Sequence, residues 1–135
     1  MIKLIVGSKG SGKTKKIIDL ANAVDTLQKH TVFITDTNRY VYDIKHGVRF
    51  INSAECGAIN DAATLLSFLG GLVACDADID PIFIDGIARI TKKEISELEE
   101  FFDRADKITG DAVIVFTISM DETALPEYLA KYEKI

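Results

Sequence analysis

Eight residues near the start of the chain, Gly7-Ser8-Lys9-Gly10-Ser11-Gly12-Lys13-Thr14, constrain its fold more than any other segment. They fit the pattern GxxxxGK[ST], they follow the apolar run Ile2-Lys3-Leu4-Ile5-Val6, and they open a helical pattern. That flanking context separates a phosphate-wrapping loop from a bare Gly/Ser-rich turn. Glycines let the backbone curl and approach a polyphosphate with no Cβ in the way. The curled N–H groups and the following helix N-terminus then converge donors and positive partial charge on an anion. Lys13 reaches the terminal phosphates as a point charge, and the Thr14 hydroxyl is a ligand for Mg²⁺.

Strand-like and helix-like patterns alternate along the chain, which predicts a parallel sheet with helices on both faces. After a first strand at Ile2–Val6, a helix from Lys13 to about Lys29 carries Ile17, Leu20, Ala21, Val24 and Leu27 on one face. Thr31–Thr35 reads as a second, buried strand. The polar and aromatic connection Asp36–Gly47 leads to a short third strand, Val48–Ile51. Asn60 and Asp61 offer caps for a helix containing Leu65, Leu66, Leu69 and Leu72. Pro81–Gly86 is a fourth strand with an abrupt polar end. Thr91-Lys92-Lys93-Glu94 is a capping box for a helix repeating Ile95, Leu98, Phe101, Phe102 and Ala105. Glu97, Glu99, Glu100, Asp103 and Asp106 form its solvated face. A fifth apolar strand covers Ala112–Ile118, and a last helix runs from about Ala124 to Lys131, with Pro126 in its first turn.

The 135 residues, 47% hydrophobic and 27% charged, suit one domain over 1–135 with an ordinary core. A net charge of −5 and a pI near 5.0 argue against nucleic acid as a partner, which would need a basic stripe. Cys56 and Cys75 form no CxxC and read as buried free thiols in a reducing cytosol. His30 and His46 are isolated in sequence and suggest no metal cage. The apolar start is too short for a signal peptide, and the longest apolar stretch, Leu65 to Cys75, is too short to span a bilayer. A cytoplasmic protein with no membrane partner is expected.

Ile82-Phe83-Ile84-Asp85 supplies the other half of a nucleotide site. Ligands of parallel sheets sit at the carboxyl ends of the strands, so Asp85 is placed to orient the hydration shell of Mg²⁺. The competing reading is an aspartate that merely ends a buried strand beside Gly86. The fifth strand ends in Thr117-Ile118-Ser119, hydroxyls suited to sensing a γ-phosphate. Ser119 equally suits a helix cap, because Ser119-Met120-Asp121-Glu122 fits a capping box. Arg39, just beyond the second strand, is a candidate phosphate contact. The loop around it, Asn38–His46, mixes cations with aromatics as base-stacking loops do, but a plain surface connection suits the acidic chain better.

In its order of loop, strands and helices, the segment 1–119 resembles a minimal RecA-like member of the phosphate-loop NTPases. The resemblance implies an α/β three-layer sandwich with a mostly parallel five-stranded sheet. It implies the strand order third, second, fourth, fifth, first, with Ile2–Val6 on an edge shielded by the tail around Lys131–Ile135 or by another subunit. In that family a glutamate after the second strand activates the attacking water. Here the stretch is Thr35-Asp36-Thr37, which makes Asp36 the candidate water-orienting carboxylate. Gly86 stands where related ATPases carry a glutamate after the metal-site aspartate.

The expected function is a slow Mg²⁺-dependent ATPase or an ATP-dependent switch, with ATP and Mg²⁺ as ligands. The backbone of Gly7–Thr14 and Lys13 hold phosphates, Thr14 and Asp85 hold the metal, and Asp36 and Lys13 serve catalysis. The alternatives are a nucleotide-binding module acting through a protein partner, or a phosphotransferase completed by a second subunit. A homo-oligomer is compatible with either.

Overall fold

A computed structural model describes residues Met1–Ile135. The chain runs β1 (Ile2–Gly7), α1 (Lys13–Asn22), β2 (His30–Thr35), β3 (Val48–Asn52), α2 (Ser53–Cys56), α3 (Ala62–Cys75), β4 (Ile79–Ile84), α4 (Ile87–Thr91), α5 (Glu99–Thr109), β5 (Ile114–Ser119) and β6 (Glu133–Lys134). All strand pairs are parallel, in the order β3-β2-β4-β5-β1-β6. The first five follow the expected order. The sheet has one strand more than the five expected: the sixth, from the tail, lies along the β1 edge that the tail was expected to shield.

Alternation along the strands splits the core into two layers. Ile5, Phe33, Phe83 and Val115 face Ile17, Ile18 and Ala21 of α1. Leu4, Val32, Ile34, Ile82, Ile84 and Phe116 face Leu65 and Leu69 of α3 and Phe101, Phe102 and Ala105 of α5. Both faces of the inner strands are therefore covered, as their near-continuous apolar runs require. The Phe102 ring lies 4.8 Å from that of Phe116.

Three helices depart from the sequence expectation, each for a local reason. α1 stops at Asn22, not Lys29. The Asp25 carboxylate accepts from the Leu27 amide at 3.1 Å, a local bond that competes with helix continuation, and Leu27 is left 93% exposed. Thr91 does not open a helix. It ends α4, its hydroxyl donates to the Ile87 carbonyl, and Lys92 turns through φ 59°. The capping box sits at Glu94 and Glu97 around a 3₁₀ turn, and α5 follows from Glu99. The last helix is replaced by 3₁₀ turns at Glu122–Ala124 and Glu127–Leu129. Leu125 is extended, the conformation favoured before Pro126.

The tail then returns along β1. Lys3 pairs with Glu133 and Leu4 with Lys134, and the Ile135 amide donates to the Leu4 carbonyl at 2.8 Å. Leu129 and Tyr132 anchor it in the core, so the tail shields the edge. Cys56 and Cys75 are exposed thiols, contrary to the burial expected of them. They sit near or at the ends of α2 and α3, where the apolar faces have run out. His30, isolated in sequence, stands 2.5 Å from Asp76 at the opposite end of the strands from the glycine-rich loop. No helix is long and apolar enough to cross a membrane.

Candidate functional site

The β1–α1 loop, Asp36 after β2, Asp85 after β4 and Ser119 at the end of β5 meet at the carboxyl end of the sheet. They border a cleft of about 610 Å³. Its lining includes Lys9, Gly10, Gly12, Lys13 and Thr14 from the loop, and Arg39 with Tyr40 from the β2–β3 connection. Five cations (Lys9, Lys13, Lys15, Arg39, Arg89) face two carboxylates (Asp36, Asp85). That is an excess of three positive charges in a chain of net charge −5.

Two loop glycines hold backbone that other residues rarely adopt: Gly10 at φ +84° and Gly12 at φ +91°. Gly7 packs close to Ser11, whose hydroxyl would have to turn away from a Cβ placed 2.3 Å from it. The loop is closed by the Ser11 amide donating to the Ser8 carbonyl at 3.1 Å. Gly7, Ser8 and Ser11 thus shape the loop without lining the cleft.

The Lys13 side chain folds under the loop. It is only 9% exposed, and its Nζ donates to the Ser8 carbonyl at 2.9 Å. Desolvation lowers its pKa below the ordinary lysine value, Asp85 acts in the opposite sense, and Arg89 lowers it further. An anion entering the cleft would supply the countercharge that burial withholds.

Asp85 is 3% exposed and hydrogen-bonded from two sides. Thr117 donates to it at 2.7 Å, the Thr14 hydroxyl lies 3.2 Å away, and the Gly86 amide donates back to the Thr117 hydroxyl at 3.0 Å. The network fixes the carboxylate beside the first turn of α1. Thr14 and Asp85 offer paired oxygen donors of the kind Mg²⁺ takes, at the cleft and within reach of each other, so the residues present fit that ion.

Of the two hydroxyls at the end of β5, Thr117 is buried beneath Asp85, and only Ser119 lines the cleft. Ser119 caps no helix, because Asp121 is the cap of the turn that follows. Arg39 lines the cleft as well, its guanidinium 5.5 Å over the Tyr40 ring.

Arg89 was not singled out in the sequence. It donates through Nε to both oxygens of Asp36, at 3.1 and 3.2 Å. Gly86 makes room for it: a Cβ at that position would meet Arg89 Nη2 at 2.2 Å, and the backbone there has φ +89°. The visible signal was the glycine directly after Asp85, with an arginine three residues beyond it.

No protein-family model matches the chain, and no curated protein matches it in sequence. Among solved structures, the chain is similar to the flagellar accessory protein FlaH from Methanocaldococcus jannaschii, at 16% identity and a TM-score of 0.52. The match takes in 93% of this chain and 63% of the FlaH chain, so this protein spans under two thirds of that neighbour's length. The likeness is one of fold: a three-layer α/β sandwich with a mostly parallel sheet, of the RecA-like type expected from the sequence.

Proposed function

We propose that residues 1–135 act as a nucleotide-binding unit that takes Mg·ATP in the cleft and works as a slow ATPase or an ATP-dependent switch. One observation carries this reading: Asp85, held by Thr117, stands 3.2 Å from the hydroxyl of Thr14 at the foot of a glycine-rich loop. Lys9, Gly10, Gly12, Lys13 and Thr14 would cradle the phosphates on a loop shaped by Gly7, Ser8 and Ser11, while Thr14 and Asp85 would hold Mg²⁺. The ion supplies charge neutralisation across the phosphates and a fixed template for them. Asp36 is the carboxylate nearest to orienting a water, and Ser119 and Arg39 stand at the rim for further phosphate contacts. The FlaH likeness supports the fold on which such a site is built and nothing finer.

A second reading, nucleotide binding without useful turnover, gains weight from Asp36, the one group suited to positioning a nucleophile, which is one methylene shorter than a glutamate. Titrating purified protein with ATP and Mg²⁺ while measuring phosphate release separates the two. Binding with steady release supports the ATPase, and binding without release supports the module. Absence of saturable binding refutes both.

A further inference from the structure

We infer that Arg89 reads the terminal phosphate of a bound nucleoside triphosphate, leaving Asp36 to do so. This rests on the nucleotide reading of the cleft and adds to it a residue that tells triphosphate from diphosphate.

The Arg89 contact is incomplete as arginine pairs go. The guanidinium offers five N–H donors in a planar fork. Here only Nε is used, on both oxygens of Asp36, and neither Nη group donates to any protein acceptor. A carboxylate partner of choice would be gripped by two nitrogens side by side. Arg89 itself lines the cleft together with Lys13, Thr14 and Asp85.

The pair is also easily opened. The Arg89 side chain is 53% exposed, and an ion pair so open to water contributes little on its own. A phosphate offers a dianionic, tridentate acceptor that the fork matches better than one carboxylate grazed by Nε. Gly86, bare of a Cβ, provides the groove along which the guanidinium lies. Arg89 is near enough to Lys13 to lower its pKa, so two cations crowd one corner of the cleft. An anion shared between them relieves that repulsion. On this reading a diphosphate held by the loop would stop short of Arg89 and leave the Asp36 contact in place. The same exchange strips Asp36 of its cation only when the triphosphate is present.

The rival explanation is a clamp that merely ties the end of β2 to α4. Calorimetric titration with Mg·ADP and with the Mg²⁺ complex of a non-hydrolysable β,γ-imido ATP distinguishes the two. Arg89→Gln is expected to reduce the preference for triphosphate over diphosphate by about ten-fold, the scale of one charge-assisted hydrogen bond. Arg89→Lys, which keeps the charge without the fork, should fall between. Asp36→Asn releases the guanidinium and removes a negative charge, so it should tighten triphosphate binding several-fold. The double variant should lose that gain. A clamp predicts that Arg89→Gln and Asp36→Asn weaken both nucleotides alike, with their ratio unchanged, and that result overturns the inference. Failure of the wild type to bind either nucleotide, or binding indifferent to Lys13→Ala, removes the nucleotide reading itself. Lys13-dependent binding with a ratio untouched by Arg89→Gln sinks only the role of Arg89.

Discussion

Lys13 carries two opposed demands on one side chain. Its stem is covered by the loop and its ammonium makes a single bond to the Ser8 carbonyl, so burial penalises the charge that a phosphate would reward. Truncation to alanine removes little apolar packing, because the side chain lies under a polar loop and outside both core clusters. Lys13→Ala should keep its far-UV circular dichroism spectrum and weaken Mg·ATP binding ten-fold or more, from about 1.5–3 kcal/mol for a charged hydrogen bond. Equal affinities for the two proteins would remove the central claim. The lowered pKa adds a pH signature. Between that value and the ordinary 10.5, the folded protein binds fewer protons at this site than the unfolded chain. The free protein therefore gains stability from Lys13 as pH rises through the window, while anion affinity, which needs the charged form, declines. Titrations at increasing pH should show affinity falling before an ordinary lysine would lose its proton. Lys13→Arg, which stays charged, should flatten that fall.

At the scale of elements, what was legible in the sequence is what short stretches decide. The glycine-rich loop sits between β1 and α1 because its pattern, the apolar run before it and the periodic residues after it are all local. Asp61 caps α3 with Thr64 by the same local logic. The misread pieces depend on partners far away or on competing turns. α1 ends early where Asp25 captures a backbone amide, and the tail abandons the helix for β1. The pairing of Arg89 with Asp36 joins residues 53 positions apart and depends on how a bare Gly86 seats the side chain. No spacing rule contains it. β6 has only two paired residues, so its hold on β1 rests on Leu129 and Tyr132 behind it. Leu129 is fully buried, and Leu129→Ala should cost about 2–5 kcal/mol in urea unfolding. Loosening the tail also bares the β1 edge, a template for strand pairing. Light scattering should show concentration-dependent association in the variant beyond that of the wild type. Stability unchanged by the substitution would mean that the tail is not anchored there.

For the whole molecule, the sheet order brings the ends of β1, β2, β4 and β5 to one rim, and the chemistry of that rim is unevenly supplied. Clamping is well provided: the cleft carries an excess of three positive charges, and Asp85 is held by Thr117 beside Thr14. Positioning of a nucleophile is poorly provided. Asp36 is one methylene shorter than a glutamate, which sets its carboxylate further back from an attacking water. Gly86 leaves no carboxylate next to Asp85, and its replacement is opposed by a backbone φ of +89° that other residues rarely adopt. Phosphoryl transfer to water needs both clamp and positioned water, and electrostatic parts supplied by a partner can matter by about 10³–10⁵-fold. Purified protein is therefore expected to bind Mg·ATP and turn it over well below the ~10 s⁻¹ typical of enzymes. Phosphate-release assays under saturating Mg·ATP check this directly. Turnover near the typical value that disappears in Asp36→Asn would mean that the aspartate reaches its water despite its shorter side chain. The same turnover surviving that substitution would place the catalytic group elsewhere on the rim, with Ser119 and Arg39 the next to test.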